Sequence, residues 1–227
     1  GLKLPWDMEI RGMARGRLLN NYDKFKDPGS SSLPRVRTHM REYFVTSPVT
    51  MTNFTLSKTS RLGRDWYGTV YGGYFEEMFG GVGGEVLYRQ PGSRWAVGMD
   101  INQVKQRAFE QNFSYLDYKV KTGHITGYWS TPIEGVHASL SAGQYLAGDR
   151  GATLTVAKVF ANGTTMGAYA TRTNVPAALF GEGSFDKGIY WAIPFDAFLT
   201  SSSRSYANFS WKPLTRDGGA RVARPVN

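Results

Sequence analysis

The sequence predicts an all-β fold, a transmembrane antiparallel up-and-down β-barrel of about 12 strands. Strand-length segments alternate between apolar and polar side chains, which is the two-residue period of a β-strand. The chain carries 27 Gly, 13 Tyr, 13 Phe and 6 Trp, yet its mean hydropathy is only -0.37. High aromatic content with low average hydropathy is typical of membrane barrels. The sequence contains no run of about 18 apolar residues, which excludes an ordinary transmembrane helix.

The first strand candidate, residues 6–19, separates charged from apolar side chains. Its charged residues fall on one face, and we predict that they line a polar lumen: Asp7, Glu9, Arg11, Arg15 and Arg17. A soluble β-sandwich also alternates, but it turns its polar face to water and its apolar face to a second sheet, whereas a membrane barrel turns its apolar face to lipid. The alternation alone leaves both architectures open.

The segment 94–104 shows the largest contrast between its two faces. Asp100 and Asn102 share a face with the small residues Ala96 and Gly98, and we predict that both line the lumen. The opposite face is uniformly large and apolar, as is one face of the late candidate 205–212. The predicted lipid-facing side chains are Trp95, Val97, Met99, Ile101, Phe209 and Trp211.

Turn residues bound the remaining strand candidates. In order they are 51–58, 65–75, 83–89, 115–129, 136–146, 152–161, 164–173, 187–195 and a short last strand from 220. Asn162-Gly163 predicts a tight hairpin, because both residues tolerate the positive φ angles of a type I′ turn. The glycine run 80–84 predicts another turn. Residues 20–49 form a long loop in which 34–44 could be a helix or a strand, and we favour a short helix that caps or plugs the pore.

One candidate strand does not keep a consistent apolar face. Lys119 and Lys121 are predicted lumen residues, but they share a face with Ile125 and Trp129. A β-bulge near 123–124 would restore the expected register.

No motif in the sequence indicates catalysis. The three histidines, His39, His124 and His137, lie in no metal-binding or nucleophile motif, and His137 is a predicted lumen-wall residue. We therefore expect no enzyme activity, no catalytic residue, no cofactor and no metal site. A hydrolase stays open as an alternative, because serine and histidine can meet in space without being close in sequence.

The charge balance indicates the class of partner. The formal net charge is +9, from 27 Lys+Arg against 18 Asp+Glu. A basic excess attracts polyanions, whether nucleic acid, lipopolysaccharide phosphates or acidic polysaccharide. We expect outer-membrane lipid, lipopolysaccharide and polysaccharide as partners, and no nucleic acid.

Several segments resemble the YjbH/GfcD family of exopolysaccharide and capsule proteins. They are 75–89 (FEEMFGGVGGEVLYR), 95–98 with Asp100 and Asn102, Tyr118 with 122–124, 180–190 (FGEGSFDKGIY) and 213–221 (PLTRDGGAR). The most specific is the first, whose motif residues are Glu76, Glu77, Met78, Phe79, Gly80, Gly81, Gly83, Gly84, Glu85 and Tyr88.

The resemblance implies a role as well as a fold. It implies that residues 1–227 form one barrel domain, the C-terminal part of a longer protein, in the outer membrane of a Gram-negative bacterium. The implied function is export or surface assembly of an exopolysaccharide or capsule, with the polymer guided through or beside a polar, basic lumen. Implied partners are a periplasmic polysaccharide-export protein and the upstream part of the same protein. A general diffusion porin, or an outer-membrane hydrolase acting on polysaccharide or lipid, remains the alternative.

Overall fold

A computed structural model describes residues 1–18, 21, 24, 32–176, 185–198, 203, 205–213 and 217–225. It contains twelve strands and a single-turn 3₁₀ segment, Phe195–Ala197, with one short helix, α1 (Met40–Val45), among the described residues. The strands are β1 (Leu2–Leu4), β2 (Met8–Gly16), β3 (Val49–Arg61), β4 (Trp66–Tyr74), β5 (Phe79–Arg89), β6 (Trp95–Arg107), β7 (Tyr115–Ser130), β8 (Val136–Gln144), β9 (Arg150–Val159), β10 (Thr165–Thr173), β11 (Asp186–Pro194) and β12 (Tyr206–Trp211). In the described part of the chain, no helix is long and apolar enough to cross a membrane.

All twelve strands belong to one antiparallel sheet in the order of the sequence. The predicted all-β class with about 12 up-and-down strands is confirmed. Among the described residues, pairing runs from β1 to β12 and no ladder joins these two edge strands. We call the end with the connections 5–7, 62–65, 90–94, 131–135 and 160–164 the turn end, and the opposite end, with 17–48, 75–78, 108–114 and 145–149, the loop end.

Four details of the prediction are wrong. Trp6 and Asp7 lie in the turn between β1 and β2, with φ angles of 62° and 58°, so the strand within the first candidate begins only at Met8. The glycine run 80–84 lies inside β5 and is not a turn. The described residues 220–225, where a last strand was predicted, form no strand. The register of β7 against β6 is continuous through 119–129, so no bulge occurs at 123–124; the shift lies between Lys105 and Arg107.

The sheet curls around its own C-terminal residues. Gly219 lies against Thr171 of β10, while the carbonyl oxygen of Pro225 accepts a hydrogen bond from Arg11 of β2. In a flat sheet, β2 and β10 would lie about 38 Å apart, since neighbouring strands are about 4.8 Å apart. The seven residues from 219 to 225, whose ends are six residue steps apart, span at most about 22 Å. One short segment can therefore reach both strands only because the sheet is curved.

Burial is inverted relative to a soluble β-protein. The side chains enclosed by the sheet are mainly polar, including Thr55, Asn102, Thr122 and Ser141, all of which are buried. The outer face is apolar and exposed: Val97 is 50% exposed, and Ile101 is 66% exposed. The buried apolar residues instead form a cluster near the loop end, where the sheet meets the 34–45 segment and the C-terminal residues: Val36, Tyr43, Tyr71, Phe75, Met78, Phe79, Val104, Leu146, Ala220 and Val222.

Candidate functional site: the polar interior and the tail inside it

The C-terminal residues 217–225, called the tail below, enter the sheet's interior at the loop end. The carboxylate of Asp217 accepts hydrogen bonds from the backbone N–H groups of Arg37 (2.7 Å) and Thr38 (3.0 Å), and from the Thr38 hydroxyl (2.8 Å). The backbone N–H of Gly219 donates to Oδ2 of Asp149 (2.8 Å). Carboxylates that accept several N–H bonds are held firmly, so this end of the tail is anchored to the 34–45 segment and to the β8–β9 turn.

The middle of the tail is held by Arg37 and Glu76. The Arg37 guanidinium pairs with both carboxylate oxygens of Glu76 (2.7 and 3.0 Å) and donates to the carbonyl oxygen of Arg221 (2.6 Å). The backbone N–H of Ala223 in turn donates to Glu76 (3.3 Å). Two-point pairing of a guanidinium with a carboxylate fixes orientation as well as charge. One ion pair thus joins the 34–45 segment, the β4–β5 turn and the tail.

Arg224 makes a charged contact between the tail and the wall of the sheet. Its guanidinium hydrogen-bonds to Glu85 of β5 and lies 3.4 Å from Oδ1 of Asp100 on β6. Burial lowers the pKa of Arg224, but the carboxylates of Asp100 and Glu85 more than offset this, and the pKa is raised above its ordinary value. A charged arginine is therefore stabilised between two acidic wall residues.

A hydrogen-bonded polar network lies on the wall beneath Arg224. The Tyr71 hydroxyl donates to Oδ1 of Asn102 (2.7 Å), and Nδ2 of Asn102 donates to Asp100 (2.9 Å) and Thr122 (3.3 Å). Nδ1 of His124 lies 3.6 Å from Asp100, and its Nε2 is buried with no hydrogen-bond partner among the described residues. Such a network orients Asp100 toward the tail.

Two cavities flank the tail inside the sheet. The larger, about 620 Å³, is lined by Glu85, Asp100, Thr126, Ser139, Tyr190 and Arg224, among others. The second, about 500 Å³, is lined by Thr153, Tyr169, Asp186, Lys212 and Arg221, among others. Both are bordered by Thr155 and Tyr190. Hydroxyl groups, charges of both signs and tyrosine rings are the groups that bind hydrated sugars, and either cavity has the volume of a small-molecule site.

Most predicted lumen residues lie on the enclosed face. Glu9 and Arg11 form an ion pair there, and Arg15 hydrogen-bonds to Glu77. Arg17, which directly follows β2, donates to the carbonyl oxygen of Phe44 in α1. Asp100, Asn102 and His137 also face inward; His137 lies near the turn end, with Nδ1 3.2 Å from the Ser130 hydroxyl.

Three predicted lumen residues lie elsewhere. Asp7 is in the β1–β2 turn, where its carbonyl oxygen accepts the N–H of Thr59. Lys119 and Lys121 pair directly with Lys105 and Gln103, so they project to the face opposite Asp100 and Asn102. Because β7 keeps its register, these lysines share the outer face with Ile125, and the lumen prediction for them is wrong.

The predicted lipid-facing residues all lie on the outer face and are exposed. Trp95, Val97, Met99 and Ile101 follow one another along β6, while Phe209 and Trp211 occupy the same face of β12. Trp95 stacks on Trp129 with ring centroids 5.1 Å apart, and Trp66 contacts Tyr88 at 5.0 Å, so aromatic pairs cluster near the turn end.

The motif residues of the β4–β5 region serve several structural purposes. Glu76 and Glu77 bind Arg37 and Arg15, whereas Met78 and Phe79 are fully buried in the apolar cluster. Glu85 contacts the tail. Four glycines of β5 have no side chain where the strand lies close to its neighbours: Gly80, Gly81, Gly83 and Gly84. Tyr88 faces outward. At Gly83, a Cβ would lie 2.3 Å from Oδ1 of Asn102, so glycine leaves the room that the wall network occupies.

Sequence reasoning did not assign a role to several charged residues of this region. They lie in loops, at a strand end or at a wall position without a motif: Arg37, Arg107, His124, Arg221 and Arg224. Arg107 is fully buried, and its guanidinium donates to the carbonyl oxygens of Met51, Thr52, Glu76 and Gln111. The available signals were the resemblance at 122–124, which contains His124, and at 213–221, which contains Asp217 and Arg221. Among the described residues, no cluster of three or more side chains could hold a metal ion.

Comparison with known proteins shows the family. The family model YjbH, described as exopolysaccharide biosynthesis protein YbjH, matches residues 2–227. The chain belongs to the YjbH family. It is 49% identical over 220 residues to the lipoprotein YjbH of Escherichia coli (strain K12), a match that covers 94% of this chain and 31% of that protein, in its C-terminal part. The chain thus spans about a third of its relative's length. No solved structure matches the chain.

Proposed function

We propose that this chain forms a β-barrel in the outer membrane of a Gram-negative bacterium and takes part in export or surface assembly of an exopolysaccharide. Membership of an exopolysaccharide biosynthesis family supports a role with this polymer, and similarity to a lipoprotein supports a location in the cell envelope. The single observation that carries the membrane proposal is the inverted burial, with large apolar side chains outside and polar ones within. A large apolar side chain exposed to water is about 1.5–3 kcal/mol less favourable in free energy than the same side chain buried, and this penalty disappears when lipid covers it.

The length of the apolar outer face fits a membrane. On β7, the outer face from Trp129 at one border to Lys121, the first charged residue beyond the apolar side chains, spans eight positions, or about 27 Å along the strand. A strand tilt of about 40° reduces this to a height of about 21 Å, close to the band of about 25 Å typical of outer-membrane barrels. The Trp95–Trp129 and Trp66–Tyr88 pairs occupy one border of the belt, where aromatic girdles contact the interface.

The enclosed face supports passive handling of a sugar polymer. Its hydroxyl, acidic, basic and tyrosine side chains provide the polar surface along which a hydrated polymer is guided through or beside the interior. The tail occupies the space between the two cavities, so this structure corresponds to a closed state. Transport then requires the tail to move, and the energy comes from elsewhere. We propose no catalytic step, and we propose a polysaccharide-export protein and the rest of the same polypeptide as partners.

The polar interior also bears on the alternatives. A general diffusion porin needs a continuous aqueous channel. The tail, anchored at Asp217, Gly219 and Arg224, lies inside the sheet, so the porin alternative has less support. A hydrolase would need a histidine that is essential for turnover. Replacing His124 or His137 with alanine and measuring polymer hydrolysis separates a hydrolase from a port.

A cellular experiment tests the proposal. The protein's gene is deleted in its own bacterium, and surface and periplasmic polymer are measured separately, together with the membrane fraction that holds the complementing protein. We expect polymer to disappear from the surface and the protein to fractionate with the outer membrane. Unchanged surface polymer, or protein in the inner membrane or the soluble fraction, would contradict the proposal.

A further inference from the structure

Positively charged side chains form a band on the outer face of strands β6 to β11, near the loop end. We call this band the collar, and its members are Lys105, Lys119, Lys121, Arg150, Arg172 and Lys187. All six are exposed. With neighbouring strands about 4.8 Å apart, five strand spacings place the collar along about 24 Å of the wall.

The register places the collar directly beyond the apolar belt. On β6, the outward series is Trp95, Val97, Met99 and Ile101, followed by Gln103 and Lys105. On β7, Lys121 and Lys119 follow Ile125 in the same direction. Arg150 is the first residue of β9, Arg172 the penultimate residue of β10 and Lys187 the second residue of β11, which are the loop-end positions of those strands.

The collar charges are not neutralised within the described residues. Lys105 and Lys119 are directly opposite each other on paired strands, an arrangement of like charges that destabilises a sheet. Of the acidic residues in β6 to β11, only Asp117 shares this face. The contacts that the cations make are to neutral groups: Arg150 donates to the Gln144 amide oxygen, Lys105 lies over the Tyr115 ring, and Lys187 lies over Phe185.

We propose that the collar binds the phosphate groups of membrane-lipid headgroups. This inference rests on the proposed function, because only a membrane places headgroups next to the border of the apolar belt. Headgroup phosphates lie at that border, and each lysine near an anionic membrane surface contributes about 1 kcal/mol of attraction. An anion between Lys105 and Lys119 also relieves their repulsion. Lipopolysaccharide and anionic phospholipid both present such phosphates, and the experiment distinguishes them.

The collar is tested by replacing two of its lysines in the protein as its cell makes it, purified in neutral detergent. The variant Lys119→Gln/Lys121→Gln is compared with Lys58→Gln/Lys158→Gln, which removes the same charge from the outer face nearer the turn end. The lipids are lipopolysaccharide, the same preparation after dephosphorylation, phosphatidylglycerol and zwitterionic phosphatidylcholine. Binding is measured by native mass spectrometry.

We expect lipopolysaccharide, phosphatidylglycerol or both to bind the wild-type protein, and the collar variant to bind roughly tenfold to thirtyfold more weakly. The lipid that shows this loss is the source of the phosphate. The Lys58/Lys158 variant should bind like the wild type. Absence of anionic-lipid binding, equal binding of dephosphorylated or zwitterionic lipid, or an equal loss in both variants overturns the inference. Fractionation of the wild-type protein distinguishes failure of this inference from failure of the proposed function. If the protein is in the outer membrane but its lipid binding does not depend on the collar, only the headgroup-binding inference is contradicted.

Discussion

Arg224 of the tail lies with its guanidinium 3.4 Å from the carboxylate of Asp100, a wall residue buried to 6% exposure. Glu85 binds the same guanidinium from the neighbouring strand. The two acidic residues lie directly opposite each other in the β5–β6 ladder, so the sheet register brings both carboxylates to one place. The tail supplies the charge that makes burial of these two groups favourable.

The first prediction concerns this contact. Arg224→Ala should loosen the tail, because it leaves the buried Asp100 and the half-buried Glu85 without their cation. Removing one partner of a fully buried ion pair costs about 3–5 kcal/mol, which sets the upper limit here. In planar bilayers, the variant should conduct ions better, or open more often, than the wild-type protein. Arg64→Ala, which removes an exposed arginine from the β3–β4 connection, serves as the control and should leave conductance unchanged. Equal conductance of Arg224→Ala and wild type would show that the tail does not close the interior.

The second prediction concerns the apolar belt. Met99→Arg should destabilise the protein by about 2–4 kcal/mol, since Met99 lies midway between Trp95 and Gln103 and the substitution places a charge near the middle of the proposed lipid-facing band. Gln103→Arg, on the same strand and face but beside the collar, should cost only about 0–1 kcal/mol. The measurement is unfolding by denaturant in lipid vesicles. Equal stability of the two variants would mean that β6 does not face lipid as proposed.

The third prediction concerns a glycine inside β5. A Cβ at residue 83 would meet Oδ1 of Asn102 at 2.3 Å and Cε2 of Tyr71 at 2.7 Å. Gly83→Val should therefore break the Tyr71–Asn102 hydrogen bond and destabilise the fold by about 1–3 kcal/mol. Gly127→Val is the matched control, because residue 127 has open space on the outer face and valine favours strands. A Gly83→Val protein as stable as Gly127→Val would contradict the packing described here.

The fourth prediction concerns the fully buried Arg107. Arg107→Ala removes the donor for four carbonyl oxygens, two at the start of β3 and two in loop-end connections. Leaving a buried acceptor unpaired costs about 1–3 kcal/mol. We expect a loss of at least about 3 kcal/mol and faster proteolysis of the 34–45 segment. Lys58→Ala, at an exposed position of the outer face outside the collar, should change the free energy of unfolding by less than about 0.5 kcal/mol. Proteolysis that is as slow in Arg107→Ala as in Lys58→Ala would disprove this anchoring role.

Local patterns were sufficient where a residue's environment follows from its neighbours along the strand. The outward face of β6 and the inward position of Asp100 and Asn102 follow from a two-residue period that no bulge interrupts there. The hairpin at Asn162-Gly163 was predicted from its turn residues and joins β9 to β10. Only Gly163 has a positive φ, of 80°, so the predicted type I′ turn, which needs two, is wrong.

Prediction failed where an environment depends on distant parts of the chain. Lys119 and Lys121 were assigned to the lumen because charge was taken as a sign of the inner face, but the continuous register carries β7 past the apolar belt, where the outer face is polar. The glycine run in β5 was assigned to a turn because nothing in the local sequence reveals that Gly81 and Gly83 lie against β6.

The sequence by itself determined the strand class, the number of strands, the apolar outer face and the family, because each depends on periodicity or on matching segments that short stretches carry intact. Only the tertiary structure decided that residues 217–225 form no strand and lie in the space that the curled sheet encloses. There they contact Arg37, Glu76, Glu85 and Asp100. These residues are far apart in the sequence, from 37 to 224, and the curled sheet brings them together in space. Their charges are stable in the interior only because each one pairs with an opposite charge there.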